Sequence, residues 1–449
     1  MLSVIDIFAG LICLLILHQV MERSFRGEHP AALRHFRMAF RLRMFFSLAF
    51  SLIAAYYYRG GDTEMFLYGA RDMRQAIREG GLSVFDILFM NNSNDSDLLS
   101  YYFEIDESIY PVSGFMKHSG NFMVPKVGLI PFLLTDSYLV LCFVFSFFAL
   151  MGGIRLYRLF LIYFPGMRKE IAIATLLLPS VGYWSSGFMK DSLCFGALGF
   201  LLYGIYQLVI ARRKMVESVI WIIVSFYLIY TIKVYILLAL IPGIAFWLFG
   251  ATGSRIRNKF TRRAVVFFLL IAAAGATFYF LNIMTTDESL EKFSVDNLLE
   301  SSEYSREIFE RRGDQGSNFQ FNTTNPALLL VNGLIATFFR PFPWEITSFI
   351  VLFSSLEAVM FLLLLVFVLY KAGVGKFLKT IFDSPILILS FSFAVVFAAA
   401  VGISTTNFGS LSRYKIPCLP FYLMFVLGAF YRLQIKYPKW VNWVLRKVG

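Results

Sequence analysis

The chain has 449 residues, 58% hydrophobic and 16% charged, with 51 phenylalanines and a formal net charge of +12. That composition excludes a water-soluble globular chain. Apolar runs of about 20 residues, each able to cross ~30 Å of hydrocarbon, recur along its length. The basic excess does not point to nucleic acid, because the Lys and Arg residues gather in short stretches between apolar runs, as topology determinants do.

Those stretches set the topology. Six of them, 21–43, 155–169, 212–214, 255–263, 371–379 and 432–449, hold 26 of the 41 Lys and Arg residues. Only five acids lie in or beside them: Glu22, Glu28, Glu170, Glu217 and Asp383. The bias places them in the cytoplasm. The expected fold is an all-α polytopic membrane protein, one integral membrane domain over 1–449. Eleven spans are predicted, at 3–20, 44–58, 137–160, 170–187, 191–211, 217–231, 234–250, 264–282, 346–370, 384–402 and 415–431. The N-terminus is expected outside and the C-terminus in the cytoplasm. The first run does not read as a signal peptide: it has no basic start, contains Asp6 and lacks a small-residue cleavage site. All four cysteines lie inside apolar runs, with neither a disulfide framework nor CxxC spacing.

Taken along the chain, the second run ends in "YYYRGGDTEMFLY", 56–68, which opens a long external segment, 59–136. From 62 to 79 the apolar residues Met65, Phe66, Tyr68, Ala70, Met73, Ala76 and Ile77 approximate helical spacing, with charges between them. This predicts an amphipathic surface helix with Asp62 at or near its N-cap, ended by Gly80-Gly81. The stretch 119–135 is apolar but carries Pro125, Gly128 and Pro131, and reads as a broken re-entrant or interfacial piece. Pro179, Gly182 and Gly187, followed by Lys190 and Asp191, mark an outer hairpin between 170 and 211. Residues 217–250 read as two short spans meeting at Lys233. A second external segment, 283–345, is expected to hold surface helices over 287–312. Its apolar helix over 325–345 stops at Arg340-Pro341.

A set of charges falls at outer ends of spans: Arg59, Asp62, Lys190, Asp191, Lys233, Arg340, Glu345, Arg413 and Lys415. Basic residues there run against the topology bias. Ion pairs such as Lys190–Asp191 and Arg340–Glu345, or snorkelling to headgroups, explain them blandly. A shared anionic ligand, a phosphate or pyrophosphate, explains them more sharply, since arginine binds such groups bidentately. Glu357 is the one acid well inside a predicted span, a functional suspect that a packing role explains equally.

Three stretches resemble the GT-C superfamily of membrane glycosyltransferases, which includes protein O-mannosyltransferases and aminoarabinose transferases. "GGDTEMFLYGARDMRQAIREGG" is similar to that family's first loop, "LLPSVGYWSSGFMKDSL" to its middle hairpin, and "SRYKIPCLPFYLM" to the start of a late span. The chain departs from the family in three ways. Asp62 is followed by Thr63 and Glu64 rather than by a second acid. The first large loop follows the second span rather than the first. No large soluble C-terminal domain follows the spans.

The resemblance implies a bacterial inner-membrane enzyme that transfers a sugar from a polyprenyl-phosphate donor to a glycan, lipid or protein acceptor on the outer face. Asp62 is then the expected base, with Glu64 as a second acid and Asp191 positioning Lys190 or the acceptor. Lys190, Lys233, Arg340, Arg413 and Lys415 are the expected ligands of the lipid phosphate. Asp62, Glu64 and Asp191 are the oxygen ligands available to Mg²⁺ or Mn²⁺, although no spacing demands a metal. Expected partners are the lipid-linked sugar, the acceptor and membrane lipids, with no nucleic acid. The rival readings are a lipid-linked polysaccharide polymerase or ligase, a transporter or flippase of lipid-linked saccharide, and a scaffold subunit of an envelope complex.

Overall fold

A computed structural model describes residues 3–58, 61–105, 112–252, 275, 325–346, 349–405 and 407–448. In chain order its helices are α1 (Val4–Ser24), α2 (Pro30–Leu52), α3 (Asp62–Arg78), α4 (Val84–Phe89), α5 (Asp97–Ile105), α6 (Val112–Met116) and α7 (Ser119–Thr135). Then come α8 (Tyr138–Tyr163), α9 (Arg168–Ala172), α10 (Pro179–Trp184), α11 (Lys190–Ile205) and α12 (Met215–Thr252). After the undescribed stretch come α13 (Pro326–Phe339), α14 (Phe349–Ala372), α15 (Val374–Phe382), α16 (Pro385–Ser404), α17 (Phe408–Tyr414), α18 (Leu419–Arg432) and α19 (Lys439–Val448). The protein is an all-α polytopic membrane protein. Among the described residues seven helices are long and apolar enough to cross a membrane, or eight if α17 and α18, bent by 66°, form one broken span.

The predicted spans meet the structure in three different ways. The run at 264–282, most of the second external segment and its expected helices at 287–312 lie outside the described residues. So do Arg59 and Gly60. Segment 170–187 is not one helix: α9 runs into a π-helical turn at Ile173–Leu177, and the chain restarts as α10. Leu178 is extended (φ −64°, ψ 120°), as the residue before Pro179 is biased to be. Residues 217–250 lie in one 38-residue helix, α12, whose single non-helical residue is Lys233 (φ −150°, ψ 71°). The break falls at the residue where the sequence put the meeting of two short spans. The stretch 119–135, expected to be broken, is the unbroken helix α7 with Pro125 and Pro131 inside it. An interior proline costs a helix about 3 kcal/mol, so burial must hold this one together. Phe122, Met123, Val124, Pro125, Lys126 and Leu129 are all buried.

The chain divides into two compact units. The first comprises residues 1–158, 181–204 and 216–234. Its outer surface is apolar where α1 shows Val4, Ile5, Phe8, Ile12 and Leu15, and where α12 shows Val216, Ile220 and Ile223. Apolar surface on that scale has to be covered, and lipid covers it. α3 is amphipathic as predicted and ends before Gly80 and Gly81, but its apolar face does not lie on a membrane surface. Phe66, Leu67, Ala70, Met73 and Ala76 are buried against α5 and α7. Arg74 pairs with Asp136, the left-handed residue that closes α7. α8 and α11 meet backbone to backbone: a side chain at Gly199 would overlap the Gly152 carbonyl, and one at Gly152 would overlap Gly196. Small residues allow such close crossings, which dispersion stabilises in lipid. The basic residues near the expected cytoplasmic ends are paired: Arg37 with Glu22, Arg158 with Glu28, and Arg155 with Glu217.

The second unit comprises 159–180, 205–215 and 235–449. α13 starts at Asn325, whose side chain caps Ala327 and Leu328, and stops at Arg340 as predicted. It crosses α16 where Gly333 meets Gly402, and Thr337 donates to the Ala398 carbonyl at 2.7 Å. Tyr422 on α18 donates to the Phe361 carbonyl of α14, and Trp247 donates to the Tyr163 hydroxyl. These buried polar groups are answered by backbone or by one another, as an apolar setting favours.

The α8–α11 crossing is testable. Gly199→Val should lower stability by about 1–3 kcal/mol, the usual effect of overpacking, read as an earlier thermal transition in detergent. Gly27→Ala, with no heavy atom within 4 Å of its added carbon, should leave the transition in place.

Candidate functional site

The site in the first unit is built on a buried connection, Ser185–Met189, between α10 and α11. Each of its first four residues is held by a different group. Arg43 of α2 donates through Nη1 to the Ser185 carbonyl at 3.0 Å and to Ser185 Oγ at 2.5 Å. Ser146 of α8 bonds Ser186 Oγ at 3.1 Å. Ser192 donates to the Gly187 carbonyl at 2.7 Å. Thr63 of α3 donates to the Phe188 carbonyl at 3.3 Å and shares a hydrogen bond with the Tyr138 hydroxyl at 3.2 Å. Phe50 covers Gly187, and the rings of Phe66 and Phe145 pack edge-on against Phe188.

Thr63 is the side chain that brings the two predicted motifs together. It follows Asp62, the first residue of α3, while Phe188 lies two residues before Lys190, the first residue of α11. One hydrogen bond therefore joins the starts of the two helices that carry Asp62 and Asp191. The N-cap position belongs to Gly61, not Asp62, and Gly61 takes φ +94°, a conformation that glycine alone adopts freely. Asp62 is half-buried. Glu64 accepts a hydrogen bond from Tyr68, one turn on, at 3.1 Å.

Asp191 is 1% exposed and is bonded at 2.5 Å by Lys233, itself 7% exposed. The ion-pair partner expected for Asp191 was its neighbour Lys190; the partner the fold supplies comes from the break in α12. The non-helical backbone at Lys233 interrupts the ladder of carbonyl acceptors just where α7 begins. Gly120, in the first turn of α7, lies so close to the Thr231 and Ile232 carbonyls that an added side-chain carbon would stand 3.0 and 3.2 Å from them. Further along α7, Lys126 donates to the Met90 carbonyl at 2.7 Å and to the Tyr227 hydroxyl at 3.4 Å. The fold thus brings Lys233, at the break in α12, onto Asp191 at the start of α11, while Asp62 and Glu64 stand at the start of α3, which Thr63 ties to the same connection.

The second unit holds the other predicted cations. Arg340 is bound side-on by Glu345, Nε lying 3.0 and 3.1 Å from the two carboxylate oxygens, and its guanidinium stands over Phe408 at 5.1 Å. This is the ion pair expected from the sequence. Lys415 is 1% exposed, at the bend between α17 and α18, and donates to the Arg340 carbonyl at 3.2 Å. It also lies in the field of Glu357, which is buried on α14. Arg413 stands 5.9 Å from the Tyr414 ring centroid. Among the described residues no three His, Cys, Asp or Glu side chains stand together as a metal site, and Asp62, Glu64 and Asp191 do not form one.

Arg43 and Lys126 escaped the sequence reading. Arg43 closes the basic run 21–43 and was counted there with the cytoplasmic charges. The structure buries it near the middle of the 28-residue run Pro30–Tyr57. The available signal was its place inside "RMFFSLAF", where only apolar residues and one serine follow. Lys126 stood alone in an apolar stretch read as broken, and the helix that buries it was not foreseen.

The Lys233–Asp191 pair makes a stability prediction. Lys233→Met alone strands a buried carboxylate and should cost about 3–5 kcal/mol, whereas pairing it with Asp191→Leu should restore most of that loss. Denaturation of the three variants in detergent checks it; equal losses in the single and double variants would mean the pair contributes nothing specific.

No protein-family model, no curated protein and no solved structure matches this chain.

Proposed function

We propose that the protein is a GT-C-like membrane glycosyltransferase. It would move a sugar from a polyprenyl phosphate to an acceptor at the outer face of a bacterial inner membrane. The observation that carries this reading is the Thr63–Phe188 hydrogen bond, which fastens the helix start bearing Asp62 to the segment leading into Lys190 and Asp191. Sugar transfer needs a carboxylate to take the acceptor's proton and fixed cations to stabilise the leaving phosphate. Asp62 is the base of this proposal. It is half-buried at the first residue of α3, next to a glycine around which nothing crowds within 4 Å. Lys190 and Lys233 serve the phosphate, with Asp191 orienting Lys233. Within the second unit, taken by itself, Arg340, Arg413 and Lys415 are the cations proposed to meet a lipid phosphate, open to the same assay. The exposed apolar faces of α1 and α12 supply surface for a polyprenyl tail.

A specific observation favours a second reading, a flippase of lipid-linked saccharide. The sequence shows no deep charge in the spans apart from Glu357, yet Arg43, Asp191 and Lys233 are buried in apolar helices and Lys415 is buried at the bend between α17 and α18. Charges within spans are characteristic of transport paths.

One experiment separates the two. Purified protein is given radiolabelled polyprenyl-phosphate sugars with an acceptor mixture, and a parallel sample in liposomes is assayed for flux. The transferase reading expects transfer that falls on the order of 10²–10⁴-fold in Asp62→Asn, the usual contribution of a general base, with an unchanged thermal transition. Flux without transfer would favour the flippase, and transfer that survives Asp62→Asn would remove Asp62 as the base.

A further inference from the structure

Arg43 is 1% exposed, and its guanidinium has two faces of use and one edge left over. Nη1 is committed to Ser185, and the plane stands over the Phe195 ring at 5.2 Å. Nε and Nη2 have no hydrogen-bond partner among the described residues, and no carboxylate pairs with the group. Ser47 lies one turn further along α2, on the same face, and its hydroxyl is buried and unpartnered as well.

The edge formed by Nε and Nη2 is the side-on fork with which arginine holds two oxygens of one oxyanion. This protein uses the same fork twice elsewhere. Arg37 gives Nε and Nη2 to the two oxygens of Glu22, at 2.7 and 2.5 Å, and Arg340 gives the same two nitrogens to Glu345. At Arg43 the fork is buried, and among the described residues no acid answers it. A buried guanidinium without a counter-charge is strongly unfavourable, so a negative partner from outside the chain is the physical complement. The two fork nitrogens and, one turn on along the same helix face, the Ser47 hydroxyl make three unanswered buried donors. A carboxylate has two oxygens to offer them, whereas a phosphoryl group has three.

We infer that Arg43 and Ser47 form a binding site for a phosphate monoester oxyanion, enclosed within the first unit. Two phosphoryl oxygens lie on the Nε–Nη2 fork and a third accepts from Ser47. The site is independent of the transferase reading, because binding is measured with no transfer and no sugar.

The test uses the full chain in phosphatidylcholine nanodiscs, titrated with inorganic phosphate, or prepared with increasing phosphatidic acid, and with chloride as the control anion. Ligand that binds only the folded state raises the thermal transition saturably. The expected result is a saturable rise with one phosphate source and none with chloride. A response to inorganic phosphate identifies a free-phosphate site, and a response to phosphatidic acid alone identifies a lipid-headgroup site. Arg43→Lys keeps the charge but loses the fork, and should need about tenfold more ligand for half the effect, as loss of one charge-assisted bond implies. Ser47→Ala should move the midpoint in the same direction and serves if Arg43→Lys does not fold. Arg446→Gln, on exposed α19, should bind as the wild type does. No rise with either phosphate source, or an unchanged midpoint in whichever of Arg43→Lys and Ser47→Ala folds, would overturn the site.

Discussion

The structure of the first unit turns on one constraint: a charge inside an apolar helix bundle must be answered before the bundle can close. Lys233 and Asp191 show it most plainly. Neither is tolerable alone at that depth, because desolvating a single ion costs several kcal/mol. Together they fix where the break in α12 stands against the start of α11. The pair contributes little net stability on general grounds, yet it specifies a register, since each alternative packing would strand two charges. The same logic orders the connection from Ser185 to Phe188. Its backbone has left one helix and not yet entered the next, and every carbonyl there needs a donor. Arg43, Ser192 and Thr63 supply three of them, and Ser146 secures the fourth residue by its hydroxyl.

A consequence is that the acidic and basic residues of the candidate site are placed by polar groups that do no chemistry themselves. Thr63 is the clearest case. Its hydroxyl bridges Tyr138 and Phe188, so α3, α8 and the start of α11 are tied at one atom. Asp62 and Glu64 stand on either side of it, at a helix start fastened to the connection that leads into Lys190 and Asp191. Preorganisation of this kind, by groups locked through burial, is what a site for a charged ligand requires. The second unit repeats the theme separately. Lys415 at the α17–α18 bend answers the Arg340 carbonyl, and Glu345 answers the Arg340 guanidinium.

Much of the architecture was legible in the residues because hydrophobic length and helical period are local properties. Most of the described apolar runs are helices, α3 has the predicted extent, Gly80-Gly81 ends it, and the Arg340–Glu345 pair is five positions long in sequence. The failures share a cause. The sequence reading put α3 on the membrane surface, yet its apolar face is buried on α5 and α7. It broke 119–135 at its prolines, where packing keeps α7 whole. It sorts Arg43 with the cytoplasmic charges and gives no sign that Lys233 reaches Asp191. In each case the deciding contact is with residues tens of positions away: Ser185 for Arg43, Met90 and Tyr227 for Lys126, and Lys233 for Asp191.

By itself, then, the sequence determined that this is a helical membrane protein, roughly where its helices start and stop, and that Lys233 marks an interruption. Those outcomes depend on backbone propensity and on the transfer of apolar surface out of water, which act over a few turns. Only the tertiary structure decided which charge meets which, which carbonyl finds a donor, and that one arginine keeps a fork unanswered among the described residues. Electrostatic and hydrogen-bond partners are chosen by proximity in space under low dielectric, and the linear order of residues carries no record of that proximity.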